Sequence, residues 1–269
     1  MKIATWNINS IRARADRAVD VLQRHDLDVL ALQEIKCKPE QFPLEQFTDL
    51  GYEVAIEGHN QWNGVAIISR VGLENVQNVF TGQPGFKKGT PDGEELFIAG
   101  APEARAIGAT TGGIEIWSLY VPNGRSVDDP HYQYKLAWLS ALKDRAAARL
   151  AEDPDAKIAL TGDWNVIPTD EDVWDVTATG GLYVSQPERD AFFAFEDAGF
   201  TEVTREHATN YTFWDYQQLR FPKNQGMRIV FVYASPALAK LVTGAEIDRD
   251  ERKGKGASDH VPVIVNLDL

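Results

Sequence analysis

The sequence contains little cysteine and no long hydrophobic segment. Cys37 is the single cysteine in 269 residues, which excludes an internal disulfide framework and fits a reducing compartment. No apolar run approaches the ~20 residues that a membrane-spanning helix needs. The opening residues, MKIATWNIN, are typical of a strand and lack the apolar core of a secretion signal. We therefore expect a soluble, cytoplasmic protein with no membrane partner.

Basic residues are outnumbered by acidic ones, 27 to 40. The formal net charge of −13 disfavours attraction between nucleic acid and the whole surface, because repulsion from phosphate dominates at long range. A local basic face is still compatible with this charge. Basic residues group in loop-like places, although such groups are more often ordinary solvated surface: Lys36 with Lys38, Lys87 with Lys88, Arg220 with Lys223, and Arg252 with Lys253 and Lys255. An acidic protein that binds a phosphate polyanion needs a cation at the site, and surplus carboxylates could hold a divalent one.

Length and patterning predict one α/β domain that spans residues 1–269. Helical patterns cover residues 12–24, 130–152 and 190–198, and the glycine-rich stretch 81–94 is expected to be a mobile surface loop. Short turns join some strands and helices join others, so we expect two mixed sheets packed face to face with helices outside. Strand-like runs occur at 2–6, 27–32, 54–56, 65–69, 73–79, 114–121, 157–160, 227–234, 243–247 and 261–267.

The segment TGDWNVIPTD, residues 161–170, follows the predicted strand 157–160. We expect Gly162 to turn the backbone so that Asp163 and Asn165 project from the carboxyl end of the strand, where α/β proteins tend to carry their chemistry. Asp163 could accept a proton and Asn165 could donate to an oxyanion, as hydrolysis of a phosphodiester requires. The alternative is a helix N-cap, since Asp and Asn are favoured caps and Pro168 is typical of a helix start.

Further polar side chains stand at the ends of other predicted strands. Asn7 follows the first strand, although it could simply cap the next helix. Glu34 ends a strand too apolar for solvent, which favours a role as a ligand over a surface charge. Tyr120 could donate to a phosphate or be an ordinary strand residue, and Asp259 and His260 precede the last strand, where they could reach a cation and a phosphate oxygen.

Taken together, these residues predict a metal-dependent phosphoesterase. Oxygen ligands are plentiful whereas clustered His and Cys are absent, so Mg²⁺ or Mn²⁺ is expected rather than zinc. The residues that form this predicted site are Asn7, Glu34, Asp163, Asn165, Asp259 and His260.

The motifs and their order resemble the exonuclease III family of abasic-site endonucleases, within the DNase I-like superfamily. The similarity runs from residue 2 to about residue 267 and rests on TWNINSIRAR, LALQEIKCK, NGVAIISR, LYVPNG, GDWNVIPTD, YTFWDY, GMRI and ASDH. The resemblance implies a four-layer α/β sandwich. It also implies cleavage of double-stranded DNA 5′ to abasic sites, and the removal of nucleotides or blocking groups from 3′ ends, by a protein that we expect to be a monomer.

The resemblance also implies a role for each residue at a matching position. Asn7, Glu34 and Asp259 would belong to the metal site, Asp163 would activate the attacking water, and Asn165 would orient that water or donate to the oxyanion. Tyr120 and His260 would contact the scissile phosphate, and Arg105 would contact DNA.

A small apolar pocket could accept the sugar of an abasic site and reject a normal nucleotide by size. By the same resemblance, the wall of this pocket would comprise Phe213, Trp214, Met227 and Ile229. For Trp214 a place in the core is the alternative.

Val230 departs from the family pattern. The family carries an Asp at this position, after GMRI, and that Asp bonds the His that matches His260 and fixes its orientation. The resemblance therefore implies an enzyme with an intact metal site and a weakened activity.

The same residues are compatible with two other functions. A related enzyme that acts on phospholipid or inositol phosphate headgroups would use the same metal and base, but the aromatic wall and the basic loops favour DNA. A protein that binds damaged DNA without cleaving it is the second alternative, which Val230 strengthens.

Overall fold

A computed structural model describes residues 1–86 and 101–269, and within these ranges the chain forms two six-stranded sheets. The first sheet has the order β11-β12-β1-β2-β4-β3 and the second has the order β5-β6-β7-β8-β10-β9. The strands are β1 (Lys2–Asn7), β2 (Val29–Gln33), β3 (Glu53–Glu57), β4 (Val65–Ser69), β5 (Glu74–Gln77), β6 (Ala106–Thr111), β7 (Ile114–Tyr120), β8 (Ile158–Asp163), β9 (Thr201–Glu202), β10 (Val230–Ala234), β11 (Val242–Ile247) and β12 (Val263–Leu267). The α-helices are α1 (Ile11–Arg24), α2 (Glu45–Thr48), α3 (Pro130–Glu152), α4 (Gln186–Asp197) and α5 (Pro236–Ala239).

The two sheets face each other, and helices cover their outer faces. Side chains alternate along each strand, so Ile3 of β1 enters the core between the sheets whereas Trp6 packs under α1 with Val21. In the second sheet Ile116 faces the same central core, and Trp117 packs outward against the side of α3 and α4. The four-layer α/β sandwich is therefore confirmed.

Each sheet contains one parallel pair of strands, and these pairs position the site. β1 and β2 run parallel with α1 between them, and β7 and β8 run parallel with α3 between them. All other neighbours are antiparallel. The carboxyl ends of the four parallel strands lie together at one edge of the sandwich. The hydrogen bond between the side chains that end β1 and β8 shows how close these ends are.

Each of the ten predicted strands overlaps an observed one, and α3 has the predicted bounds. Strands β6 and β9 were not predicted, and α4 begins four residues before the predicted helix. Most of the predicted loop 81–94, with Lys87 and Lys88, lies outside the described residues. No helix in the two described ranges is long and apolar enough to cross a membrane.

Gly162 does not turn the chain as expected. It lies inside β8, which continues to Asp163. A Cβ atom at Gly162 would stand 1.9 Å from the carbonyl oxygen of Leu119 on β7. Glycine is required because the two parallel strands approach closely, and this approach sets the place of Asp163 beside Tyr120.

Candidate active site

Three side chains from three strand ends meet at the edge where the parallel strands finish. Nδ2 of Asn7 donates to Oε1 of Glu34 at 2.8 Å and to Oδ2 of Asp163 at 2.9 Å. Asn7 therefore connects the ends of β1 and β8 with the residue that follows β2. The helix-cap alternative for Asn7 does not apply, because Ser10 is the residue at the N-cap of α1.

The loop after β8 is held by local hydrogen bonds in an unusual backbone conformation. Asn165 has a φ of 49°, in the left-handed region that residues other than glycine rarely adopt. Its backbone N–H donates to Oδ1 of Asp163 at 3.1 Å, and its side-chain amide donates to the carbonyl of Val121 at 2.9 Å. An amide NH₂ has two protons, so one remains for a ligand in the cavity.

The surroundings give the acidic groups different protonation behaviour. Burial, assisted by Glu34, raises the pKa of Asp163 above its ordinary value, against the opposing effect of His260. Burial alone would also raise the pKa of Glu34, but the Lys36 ammonium, 2.8 Å from Oε2, outweighs it and lowers that pKa. Burial and the carboxylate of Glu34 raise the pKa of Tyr120 well above its usual range. Glu34 is thus an ion, Asp163 is suited to accept a proton, and Tyr120 keeps its hydroxyl proton.

The donor atoms fit a hard divalent cation. Ligand atoms of Glu34, Asp163 and His260 all lie within 4.8 Å of one another, and such a concentration of carboxylates favours a bound cation. Asp259 lines the same cavity, where its Oδ1 accepts from Asn9 at 3.1 Å. The amide nitrogen of Asn7, rather than its oxygen, faces the carboxylates. The place of Asn7 among the metal ligands therefore stays a prediction.

A cavity of about 310 Å³ opens beside these groups. Phe213, Met227 and Ile229 line it and belong to one apolar cluster, and all three are residues of the predicted apolar wall. The other lining residues are polar or aromatic: Glu34, Tyr120, Asn123, Asp163, Asn165, Tyr183, Asp215, Asp259 and His260.

Trp214 was predicted to line this cavity, and the structure corrects that prediction. Its side chain is 0% exposed and packs against Phe221 and Tyr211. Consecutive residues of an extended segment point to opposite sides, so Phe213 faces the cavity and Trp214 faces the core.

The matching family model is described as the Endonuclease/Exonuclease/phosphatase family, and it covers residues 4–260. The chain belongs to this family. Its relatives include exodeoxyribonuclease III of Haemophilus influenzae, 26% identical over 277 residues that cover 98% of each chain. Among solved structures, the 3′ phosphatase NExo from Neisseria bound to a product DNA hairpin has a TM-score of 0.88, and an AP endonuclease from Archaeoglobus fulgidus has 0.85. Both are 30% identical to this chain and aligned over 100% of each chain. These similarities confirm the exonuclease III group that the motifs indicated.

In this exonuclease III-type protein, Val230 stands where the resemblance implies an Asp, and its side chain is apolar and fully buried. Val230 pairs with Asp163 across the β8–β10 ladder and is 0% exposed. His260 Nε2 lies 3.7 Å from Asp163 Oδ2, and the His260 ring packs against Phe213 with centroids 4.9 Å apart. Nδ1 of His260 is buried and has no hydrogen-bond partner within the described ranges. An orphaned ring nitrogen is what the loss of an acceptor at position 230 would leave.

Arg105, which the resemblance assigns to a DNA contact, lies beside Tyr120. The side chain is buried, with Nε 2.7 Å from Glu103 Oε2. Its guanidinium lies 4.9 Å from the centre of the Tyr120 ring, and its carbonyl accepts from the Tyr120 backbone N–H at 2.7 Å. Arg105 thus packs against Tyr120 while its charge is paired with Glu103, and its role as a DNA contact stays a prediction.

Several residues at the site were missed by sequence reasoning. Asn123 and Tyr183 line the cavity and are hydrogen-bonded to each other. Asn123 stands in the quoted motif LYVPNG and could have been found there. Tyr183 follows two glycines in a segment with no motif, so nothing local indicated it.

Proposed function

We propose that this protein is a metal-dependent hydrolase of DNA phosphodiester bonds that cleaves 5′ to abasic sites and clears 3′ ends. The observation that supports it best is the convergence of Asn7, Glu34, Asp163 and His260 beside a cavity with an apolar wall. The relatives and similar solved structures, which include exodeoxyribonuclease III, a 3′ phosphatase and an AP endonuclease, support the same chemistry.

In the proposed reaction Asp163 takes a proton from the attacking water. Burial raises the pKa of this carboxyl, which makes it a better base once ionised. Asn165 orients the water or donates its remaining amide proton to the phosphate oxygens. Tyr120, which keeps its hydroxyl proton, donates to the phosphate from the end of β7, and His260, which lines the same cavity, also contacts the phosphate.

Glu34 and Asp259, with Asn7, would hold the Mg²⁺ or Mn²⁺ ion. A divalent cation in this position supplies positive charge for the phosphate and its developing negative charge. The oxygen donors suit either ion, and Asn9 and Lys36 hold two of these side chains by hydrogen bonds.

An abasic sugar fits the proposed pocket better than a full nucleotide does. Phe213, Met227 and Ile229 offer apolar contacts to a sugar that has no base. Extrusion of such a sugar costs little, because no base pair has to be broken. We place the protein in the cytoplasm as a monomer that folds as a single domain and acts on double-stranded DNA.

The decisive experiment is cleavage of a synthetic abasic duplex with Mg²⁺ and in EDTA. We expect a nick 5′ to the abasic site with Mg²⁺ only, and a loss of about 10²–10⁴-fold in Asp163→Asn, which removes the base but keeps the shape. A second substrate, the same duplex with a 3′-phosphate at a nick, measures the 3′-end activity. Hydrolysis of an inositol phosphate without DNA cleavage would contradict the proposal, as would retention of abasic DNA in a gel shift with no cleavage by either wild type or Val230→Asp.

A further inference from the structure

A lysine and a glutamate form a fully buried ion pair directly behind the cavity. Lys135 of α3 and Glu188 of α4 are hydrogen-bonded to each other, and both side chains are 0% exposed. Neither residue lines the cavity, and the proposed reaction uses neither. Burying two charges is costly, and a buried pair is weak evidence for a role in stability, because apolar replacements are often as stable.

The ammonium of Lys135 also contacts the backbone of the loops that carry cavity residues. Nζ donates to the carbonyl of Asn165 at 2.6 Å and to the carbonyl of Asn123 at 3.5 Å. Together with Glu188, these contacts use all three protons of the ammonium. Nζ also lies 4.9 Å from the centre of the Tyr183 ring. One cation thus touches three residues that line the cavity.

We propose that Lys135 is a positioning residue that holds Asn165, and with it the loop after Asp163, in the geometry needed for hydrolysis. Asn165 adopts a left-handed backbone conformation that costs energy unless its surroundings impose it. A charged donor on its carbonyl, fixed within the rigid helix α3, supplies that constraint. Burial lowers the pKa of Lys135 to about 8, against the opposing effect of Glu188, so the group is still charged at neutral pH.

Glu188 anchors this arrangement from the other side. Its Oε2 accepts from the hydroxyl of Ser185 at 2.7 Å and from the backbone N–H of Ser185 at 3.2 Å, which fixes the start of α4. Its Oε1 accepts from Lys135. The pair therefore connects the start of α4 to the catalytic loop, and the position of each depends on the other.

The test uses a neutral replacement that leaves no unpaired buried charge. The double variant Lys135→Met with Glu188→Gln keeps the volume and the acceptor that caps α4. The single variant Lys135→Arg keeps a positive charge at this position. Arg149→Met is the matched control, because Arg149 is also on α3 and pairs with Glu115 at 2.9 Å, at the end of β7 away from the site.

Two measurements decide the proposal, and the kinetic one rests on the proposed function. The first is amide hydrogen exchange of residues 163–167, which we expect to become about tenfold faster in the double variant and to stay unchanged in Arg149→Met. The second is single-turnover cleavage of the abasic duplex, which we expect to slow by about tenfold or more with unchanged DNA affinity, and to recover in part with Lys135→Arg. Added to Asn165→Ala, the double variant should cause no further loss of rate, because Lys135 acts through Asn165.

Unchanged exchange in residues 163–167 would overturn the positioning role, whatever the activity. Faster exchange with a full cleavage rate, or losses that add to those of Asn165→Ala, would overturn its link to catalysis. A wild-type protein and a Val230→Asp variant that both fail to cleave DNA would refute the proposed function alone, since the exchange measurement still decides the role of Lys135.

Discussion

Replacing Val230 with Asp should give His260 an acceptor and raise the rate of DNA cleavage. Val230 stands directly opposite Asp163 in the β8–β10 pair, so the two side chains leave the sheet on the same face with Cβ atoms about 5 Å apart. Asp163 in turn has its Oδ2 3.7 Å from His260 Nε2. A carboxylate at position 230 would therefore lie close to the imidazole whose Nδ1 has no partner among the residues that the structure describes.

The size of the gain follows from the strength of the new bond. A hydrogen bond to a charged group is worth about 1.5–3 kcal/mol, and each ~1.4 kcal/mol of transition-state stabilisation is a factor of ten. We expect the single-turnover rate to rise roughly ten- to a hundredfold. The substitution also buries a second carboxylate opposite Asp163, so the melting temperature should fall even as the rate rises. A rate that rises while the melting temperature falls cannot be explained by a more stable fold.

The assay is single-turnover cleavage of an abasic duplex with saturating Mg²⁺, with circular dichroism and thermal unfolding measured on the same samples. Val230→Asn is the matched control, because its neutral amide has the shape of Asp and should gain about tenfold at most. A folded Val230→Asp protein with an unchanged rate would refute the reasoning, since His260 would then be oriented without this bond.

Three further predictions concern the scaffold, the base and the pocket. Gly162→Ala should destabilise the protein by about 3 kcal/mol or more, because its Cβ would collide with the Leu119 carbonyl. Urea unfolding measures the change in the free energy of unfolding, and a decrease below ~1 kcal/mol would contradict the geometry. Burial raises the pKa of Asp163, so folding favours its neutral form, and that contribution is present at low pH and lost as the pH rises through the raised pKa. The melting temperature of Asp163→Asn minus that of wild type, in EDTA, should accordingly increase over that pH range, and a flat difference would argue against the burial effect. Phe213→Ala should weaken discrimination between an abasic and a normal nucleotide, which is measured as the ratio of kcat/KM values for the two duplexes. An unchanged ratio would contradict the role of Phe213 in the pocket wall.

The sequence predicted the elements with strong local signals. Residues 65–69 form an unbroken apolar strand, and α3 is marked by the Asp129 cap followed by Pro130. β6 was missed because its sequence, AIGATT, is weak in strand-forming residues. A tertiary contact requires glycine at position 108 of this strand, since a Cβ there would stand 2.6 Å from the Trp117 ring. The early start of α4 was readable, because Ser185 and Glu188 have the spacing of a capping box.

At the site, the motifs predicted which residue types stand at the strand ends, but they could not predict all of the contacts between them. Phe213 and Trp214 are adjacent aromatics, and only the strand register decides which one meets the cavity. Nothing in the EARA segment indicated that the charge of Arg105 pairs with Glu103 and packs on the Tyr120 ring. Lys135 gave no signal at all, because an isolated lysine in an amphipathic helix is normally exposed.

The pairing of β12 with β1 joins the end of the chain to its beginning. Ser258 Oγ donates to the Asn7 carbonyl at 2.8 Å and Trp6 Nε1 donates to the His260 carbonyl at 3.0 Å, across separations of 251 and 254 residues. Closing a loop of this length carries an entropic cost, which grows only slowly with the number of residues in the loop. During synthesis β1 can pair with β2 early, whereas its other neighbour, β12, is made after all the other strands that the structure describes. Asp259 and His260, which precede β12, therefore join the other cavity residues only after the preceding strands have been translated.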